Sequence, residues 1–570
     1  MRKRWVYQEQ PDQQLIEQLV TDIRVTPSLA TILAQRKISS FEEAKQFFRP
    51  DLNQLHDPFL MKDMDHAVHR LILAMRRGEK ILIYGDYDVD GTCSVTLVYH
   101  FLREIYDDIE YYIPDRYREG YGISEQGIRY AAEHEISLII ALDCGIRANK
   151  LINSARKQNI DCIICDHHRP GDDLPPAHAI LNPKQEGCHY PYKELCGCGV
   201  GFKFLQGFCQ KAKHPMDSLY KLVDLVAIAI ASDIVPITGE NRLLAYYGIQ
   251  VINDAPRPAW RALTEIASIK MPLTIEKVVF GFAPRINAAG RMDHADAALR
   301  LMLEEDLEKA YGYANALHQK NLERRQFDSS ITEEALKMIE TDERLRQANT
   351  TVLFNQEWHK GVIGIVASRC IEKYYRPTII LTESNQKATG SARSVEGFDV
   401  HDAIAACADL LDQFGGHAYA AGLTLPVENV PLFQERFEQV VTERITDAQQ
   451  TPKISVDYTI PLSEITSKLY KILRQMSPFG PGNMCPIFVS ENLQVAGQPR
   501  LLREQHLKCE VCQAGSNPVS AIGFRMPHLY ELVSSGKPFK MAYSVEENHY
   551  EGRTTLQLAI KDIQLMEDSL

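Results

Sequence analysis

A buried strand that runs directly into three carboxylates constrains this chain more than any other stretch. Residues 81–94 read ILIYGDYDVDGTCS. Ile81, Leu82, Ile83 and Tyr84 form an unbroken apolar run, the pattern of a strand covered on both faces. Gly85 is expected to open a turn, with Asp86, Asp88 and Asp90 at alternate positions after it. Residues 94–105 then take up helical spacing. Three carboxylates held between a buried strand and a helix oppose one another's ionisation, so they require cations or hydrogen-bond donors. An acidic surface turn would account for one of them; three beside a buried strand point to metal binding.

The surroundings place this stretch in an α/β layer. Helix 66–77 precedes strand 80–84, helix 94–105 leads to strand 109–113, helix 124–134 to strand 137–142, and helix 147–157 to strand 160–165, with a further strand at 178–181. Such alternation implies a mainly parallel sheet with crossover helices. A long apolar helix follows at 218–231 and ends in SDIVP. At 570 residues the chain exceeds one core. It divides into a helical lead-in (1–50), the α/β domain (51–255), a helical connector (256–345), a second α/β domain (346–447) and a C-terminal β-rich module (448–570). In the connector, Arg324 and Arg325 read as a solvated helix face. The second α/β domain opens with strand 350–354, helix 361–373 and strand 377–382. In the last module ISVDYTI, HLKCEVC, VSAIGF, FKMAYSV and TTLQLAI recur between turn residues, as in a small barrel.

Composition excludes several classes. No apolar run is long enough to span a membrane, and the start, MRKRWVYQEQPDQQ, lacks the apolar core of a signal peptide, so a cytoplasmic protein is expected. Thirteen cysteines in so long a chain make no disulfide framework. The CxxC pairs Cys162/Cys165 and Cys509/Cys512 lie in strand patterns and read as core thiols; Cys188, Cys196 and Cys198 are a weaker zinc candidate. A net charge of −12 does not advertise a nucleic-acid binder, but binding depends on where positive charge clusters rather than on the sum.

Further acidic positions converge on the same edge. Asp143 directly follows strand 137–142 in LDCG, Asp166, His167 and His168 follow strand 160–165, and Asp233 ends the apolar helix. Ligands at strand carboxyl ends sit where open α/β sheets place their sites, and an Asp at a helix C-terminus opposes the helix dipole. Carboxylates with one or two imidazoles suit Mn²⁺ or Mg²⁺ better than zinc, and there are enough of them for two ions. A two-ion site activates water and stabilises both oxygens of a phosphoryl transfer.

GDYDVDG, LDCG, DHH and SDIVP, in this order, resemble the DHH phosphoesterase superfamily. PRINAAGRMD (284–293), SAR (391–393) and GGHAYAAG (415–422) resemble its RecJ branch, exonucleases that digest single-stranded DNA from the 5′ end. The resemblance covers nearly the whole chain. It implies a DHH domain, a helical connector, a DHHA1-type domain and an OB-like barrel, with Asp88, Asp90, Asp143, His167 and Asp233 as metal ligands. Asp143 would be the bridge, and Asp86 and His168 catalytic or supporting residues. Relatives often carry a His four residues before the Asp88 position, where this chain has Tyr84, a poor ligand when neutral. For the substrate the resemblance implies Arg116, Arg285, Asn287, Arg291, Ser391, Arg393, Gly415, Gly416 and His417. Arginine forks match phosphate, and the Gly415–Gly416 pair is expected to form an anion-binding turn. Phe524 and Tyr543 are candidate base-stacking platforms in the barrel. Single-strand-binding protein, a helicase, a role in DNA repair and recombination, and a monomeric state are also implied. Two other readings remain at this point: a phosphodiesterase for nucleotides or short oligonucleotides, and an inactive replication scaffold.

Overall fold

A computed structural model describes residues 3–292, 295–550 and 552–566. The chain forms two compact units. The larger comprises residues 5–264, 268–283 and 454–570; the smaller comprises 1–4, 265–267 and 284–453.

The larger unit holds a five-stranded, fully parallel sheet: β1 (Ile81–Gly85), β2 (Ile109–Tyr112), β3 (Leu138–Leu142), β4 (Asp161–Cys165) and β5 (Ala179–Leu181), in the order β2-β1-β3-β4-β5. Every residue of β1 and β3 is buried, as their continuous apolar runs require of a sheet covered on both faces. Strand order reverses between β1 and β3, which opens a crevice at their carboxyl ends. Register then aligns the strand ends. Gly85 pairs with Leu142, Leu142 with Cys165, and Cys165 with Leu181. The next residues, Asp86, Asp143, Asp166 and Asn182, therefore form one polar row along the sheet edge.

Two expectations need correction here. The segment after β1 is not an extended acidic turn: α1 (Val89–Arg103) begins five residues earlier than its spacing suggested. Asp88 caps it by accepting the Gly91 N–H at 3.0 Å, and this places Asp90 in the first turn. The apolar helix expected over 218–231 is broken near Leu222, so that α3 (Val223–Asp233) follows α2 (Gly197–Ala212) after a short helix, Met216–Tyr220. Asp233 is the last helical residue, and Ile234 (φ 60°) stops the helix in the left-handed region, a costly conformation for a β-branched residue.

In the smaller unit, α4 (Ala283–Met292) and the long α5 (Leu307–Thr341) precede a mixed sheet. Its strands are β6 (Thr351–Phe354), β7 (Thr378–Ser384), β8 (Lys387–Arg393), β9 (Gln413–His417) and β10 (Ala420–Pro426), in the order β9-β10-β8-β7-β6, with α6 (Ile363–Lys373) joining β6 to β7. The expected Gly415–Gly416 turn is instead part of the edge strand β9, paired with β10. Gly416 has φ 144°, and a Cβ there would lie 2.4 Å from the Ala420 carbonyl oxygen, which explains the glycine.

Back in the larger unit, the C-terminal module is a seven-stranded sheet: β11 (Tyr458–Thr459), β12 (Phe488–Val495), β13 (Arg500–Leu502), β14 (His506–Cys512), β15 (Val519–Gly523), β16 (Phe539–Tyr550) and β17 (Arg553–Leu565). An added β12–β14 pairing curls the sheet on itself, as a small barrel requires. Strands β12 and β13 and a helix, Ser467–Gln475, were not evident in the sequence. The N-terminal segment also contains a strand, Arg4–Tyr7, beside its helices. Those helices are no mere lead-in: Leu29, Ile32, Leu33, Ile38 and Ala44 share one apolar core with barrel residues such as Leu473, Phe488, Leu507 and Ile560. Each such leucine, isoleucine or phenylalanine contributes about 1.5–3 kcal/mol when buried, so deleting the barrel would strip the N-terminal helices of their core as well. Among the described residues every cysteine is a free thiol, and Cys162, Cys165, Cys188, Cys196, Cys198 and Cys509 are buried. No described helix is long and apolar enough to cross a membrane.

Candidate metal centre and strand-contacting residues

The acidic residues converge at the carboxyl edge of the parallel sheet. Asp86, at the end of β1, is wholly buried and accepts the Gly122 N–H through Oδ1 at 3.3 Å. Asp90 reaches across to the start of α2, where Gly197 N–H and Cys198 N–H donate to its two oxygens at 2.7 Å each. A helix N-terminus favours a carboxylate in this position. Asp143 follows β3 in the left-handed region (φ 58°). It packs so closely on α2 that a Cβ on Gly197 would sit 2.6 Å from its Cβ and Oδ1. Gly91 is constrained likewise, since a Cβ there would meet the Asp86 carbonyl oxygen at 2.4 Å.

His167 lies at the centre. Its Nε2 is 3.1 Å from Asp143 Oδ1, 3.6 Å from Asp233 Oδ2 and 3.9 Å from Asp90 Oδ2. Yet Asp86 Oδ2, Asp143 Oδ1 and both His167 ring nitrogens are buried without a hydrogen-bond partner among the described residues. Unsatisfied buried polar atoms are costly. Of these, Asp143 and His167 belong to sets of converging donors: the ligand atoms of Asp143, His167 and His168, and of Asp90, His167 and Asp233, lie within 4.8 Å of one another in each set. Oxygen and imidazole donors in this arrangement fit divalent cations such as Mn²⁺ or Mg²⁺.

Electrostatics agree. Burial, then the charge of Asp88, pushes the Asp90 carboxyl up to about 7, and burial, then Asp90 and Asp88, takes Asp233 to about 8. Asp86 and Asp143 are raised well above the usual carboxylate range, by burial first and neighbouring carboxylates second. Burial and the adjacent His168 hold His167 down at about 3, leaving a neutral imidazole suited to ligation. Burial works against charge on His168, but its 2.8 Å bond to Asp166 outweighs this and lifts it to about 9.

Asp166 was not singled out in the sequence as a site residue, although it opens the DHH motif. Its Oδ1 accepts from His167 N–H (2.7 Å), His168 N–H (3.1 Å) and His168 Nδ1, and its Oδ2 from Ile146 N–H (3.0 Å). Burial alone would raise it, yet these bonds and the two imidazoles hold it at about 2. It positions both histidines. Asn182, also missed, donates to the His168 carbonyl at 2.9 Å. Tyr121 contributes a hydroxyl that donates to the Asp143 carbonyl (3.2 Å) and lies 3.2 Å from His168 Nε2.

Tyr84 takes no part in the cluster. Its buried hydroxyl donates to the Gly122 carbonyl and accepts from Ser124 N–H, fixing the loop that also bonds Asp86. Burial raises its pKa further, which keeps it neutral. At the position where the sequence departs from the family pattern, the tyrosine is a loop brace.

The expected substrate residues fall in both units. In the larger, the Arg116 guanidinium lies 5.2 Å from the centre of the Tyr87 ring. In the smaller, Arg285, Asn287 and Arg291 lie on α4, while the Asp293 position that closes the motif is outside the described residues. Arg285 Nε bonds His318 Nδ1 at 3.2 Å, and Arg291 Nη1 donates to the Gly361 carbonyl at 3.3 Å. Ser391 and Arg393 lie on one face of β8, bonded to each other at 3.0 Å. A Cβ on Gly364, in the first turn of α6, would meet them both at 2.9 Å. Register puts Ser391, Gly422 and Gly415 in one row, with Arg393, Ala420 and His417 two rows on. Of the stacking candidates, Tyr543 is corrected: it is fully buried and bonds Ser490, so it belongs to the barrel core. Phe524 is 57% exposed against His506. The solvated reading of the Arg324/Arg325 pair holds for Arg325 alone, because Arg324 is half-buried and its Nε is enclosed.

Comparison with known proteins bears on the same regions. The family model for the N-terminal domain of the DHH family matches residues 80–230, that for the DHHA1 domain residues 347–443, and that for the RecJ OB domain residues 456–562. The crystal structure of RecJ in complex with Mn²⁺ from Thermus thermophilus superposes with a TM-score of 0.85 at 25% identity, covering 98% of this chain and 79% of that one. The single-stranded-DNA-specific exonuclease RecJ of Escherichia coli (strain K12) is 32% identical over 557 residues, covering 94% of this chain and 96% of that protein. The protein of the same name from Bacillus subtilis (strain 168) is 35% identical over 570 residues, 99% of this chain and 71% of its own length. With three domain models matched in order and a relative 32% identical over 96% of its length, the chain belongs to the RecJ family of DHH phosphoesterases.

Proposed function

We propose that this chain is a divalent-metal-dependent exonuclease that degrades single-stranded DNA from its 5′ end to nucleoside 5′-monophosphates. The observation that carries the reading is the cluster of unsatisfied buried ligand atoms on Asp143 and His167, beside Asp90 and Asp233 and under the charge of Asp88. Asp88, Asp90, Asp143, His167 and Asp233 would hold the ions, and Asp143 would be the bridge that the family resemblance implies. When bound, two such ions acidify a water and neutralise charge on the phosphoryl oxygens. The chain's own part is orientation: Asp166 fixes both imidazoles, α2 fixes Asp90, and the charged His168 at the rim faces an incoming phosphodiester. Its relatives are named as exonucleases specific for single-stranded DNA, and RecJ structures contain Mn²⁺ or Mg²⁺. Degradation in Mn²⁺ of a long single strand, its duplex and a dinucleotide tests the reading. Digestion of the single strand to mononucleotides supports it, whereas hydrolysis of the dinucleotide alone, or of nothing, refutes it. The family resemblance also implies a cytoplasmic monomer that works beside single-strand-binding protein and a helicase in repair and recombination.

The raised carboxyls make metal binding pH-dependent. Below pH 7 the metal-free site carries protons on Asp90 and Asp233 that an ion must displace. Above pH 9 it carries none there. Calorimetric titration with Mn²⁺ in buffers of different ionisation enthalpy is expected to show proton release that falls between pH 6 and 9, with affinity rising. Folding has the opposite dependence. Both groups are raised from 3.8, so the metal-free fold loses stability as pH climbs from about 4 and the loss is complete above about 8. Constant proton release across this range would contradict the assignment.

Arg393 and Ser391 are proposed to receive a 5′-phosphate, and Arg116 to contact the strand. A terminal phosphate has more charge and more acceptor oxygens than an internal diester, and charge-assisted bonds contribute about 1.5–3 kcal/mol each. Arg393→Ala is expected to slow initiation about 10- to 100-fold on 5′-phosphorylated strands and much less on 5′-hydroxyl strands. Equal slowing of both would assign Arg393 to the strand in general.

A further inference from the structure

Helix α5 carries an anomaly on its buried stripe. The stripe is apolar at both ends, with Ala310, Ala314 and Leu317 before its middle and Ile331, Ala335 and Ile339 after it. Between them, at the same three- and four-residue spacing, stand Asn321, Arg324 and Asp328. Asp328 is fully engaged by Arg369, which donates to its two oxygens at 2.7 Å each. Arg324 is left over. Among the described residues its guanidinium makes no hydrogen bond and no ion pair, and its Nε is buried; burial lowers its pKa, the nearby Asp328 charge counters this only in part, and Arg325 and Arg369 lower it further. A half-buried arginine with no hydrogen-bond partner of its own costs stability, and an apolar residue would suit the stripe better.

One turn further on the same flank is Phe327, 45% exposed. Positions three apart on a helix are neighbours. The Phe327 ring stacks on His359, with centroids 5.1 Å apart and planes at 26°. His359 is braced in turn, its Nδ1 accepting Gly361 N–H at 3.1 Å, while the Gly361 carbonyl accepts from Arg291. A supported aromatic face beside an unpaired guanidinium is what a single strand offers partners for: one base plane and one phosphate. An acidic peptide would use the arginine and leave the ring unexplained.

We infer that Arg324 and Phe327, with His359 behind the ring, form a subsite of the smaller unit that grips one nucleotide of the single strand, Arg324 on a backbone phosphate and Phe327 on a base. This rests on the exonuclease reading and extends it to residues that neither the sequence motifs nor the domain matches single out. Arg324 is then retained for binding at the expense of stability.

The test measures binding of a fluorescent 5′-hydroxyl oligothymidylate to the full chain in Ca²⁺, over a range of salt. Arg324→Met is expected to weaken binding about 10-fold and to lower the salt slope by about 0.7, the share of one phosphate on a single strand. Its melting temperature should be unchanged or higher. Phe327→Ala is expected to weaken binding about 5- to 100-fold with the salt slope unchanged. Lys337→Ala, an exposed charge further along α5, should bind like wild type. Lowered melting temperature with wild-type affinity in Arg324→Met and Phe327→Ala would make both residues structural and overturn the subsite, while the exonuclease reading stands if wild type degrades the strand. Wild type that neither binds nor degrades single strands would overturn both.

Discussion

Asp143→Ala is expected to abolish hydrolysis, a loss exceeding the roughly 10²- to 10³-fold typical of one missing transition-state contact. Asp143 stands at the reversal of strand order, nearest to His167 Nε2, and has its own Oδ1 unsatisfied. Removing it takes one of the three donors from the set of Asp143, His167 and His168. The stability readout runs the other way. A buried carboxyl crowded by Asp90, Asp88 and Asp233 burdens the metal-free fold, so the variant's melting temperature without metal should hold or rise. What should vanish is the upward shift that Mn²⁺ gives wild type. Asp172→Ala, in the exposed loop after the histidines, should leave both activity and the Mn²⁺ shift near wild type. Equal effects of the two substitutions would sink the assignment of the centre.

Gly197→Ala is expected to disable the same centre without touching a ligand. The added Cβ would meet Asp143 at 2.6 Å, and α2 cannot retreat without lengthening the 2.7 Å bonds from Gly197 and Cys198 to Asp90. Overpacking of this kind costs about 1–3 kcal/mol, and a displacement near 1 Å can cost on the order of 10²-fold in rate. A loss of about 100-fold in activity is therefore expected, with weaker Mn²⁺ binding. Gly199→Ala is the comparison, since its Cβ would first meet a flexible Leu195 methyl at 3.3 Å. If both variants retain full activity, the approach of α2 to Asp143 is not what shapes the site.

Much of this centre was legible because its candidate ligands sit at the ends of strongly patterned elements. Apolar runs such as LIIAL and DCIIC announce buried strands, and the residue after each strand falls on the sheet edge whatever the exact boundary. What escaped was local. Nothing in the spacing of Val89 to Cys93 distinguishes an acidic turn from a helix start, because the deciding bond is Asp88 capping Gly91. Asp166 was passed over for its neighbours because its role is to bond their backbone and ring nitrogens, which only the folded loop reveals. Gly415 and Gly416 looked like a turn by composition, whereas pairing with β10 makes them an edge strand. Tyr543 and Phe524 carry similar rings, and only burial separates a core residue from a surface one. Arg324 was hidden for the opposite reason: a charged residue in a charged helix looks solvated until the stripe it interrupts is seen.

The most direct measurement follows a 3′-labelled single strand and the same strand labelled at a 5′-phosphate, each digested by wild type while Mn²⁺ is titrated into protein stripped with EDTA. Without added metal neither strand should change. With metal, the 5′ label should appear at once as mononucleotide, and the 3′-labelled strand should shorten progressively from its far end, with activity rising alongside occupancy of the site. Full activity in EDTA, or release of the 3′ label first, would contradict a metal-dependent nuclease that works from the 5′ end.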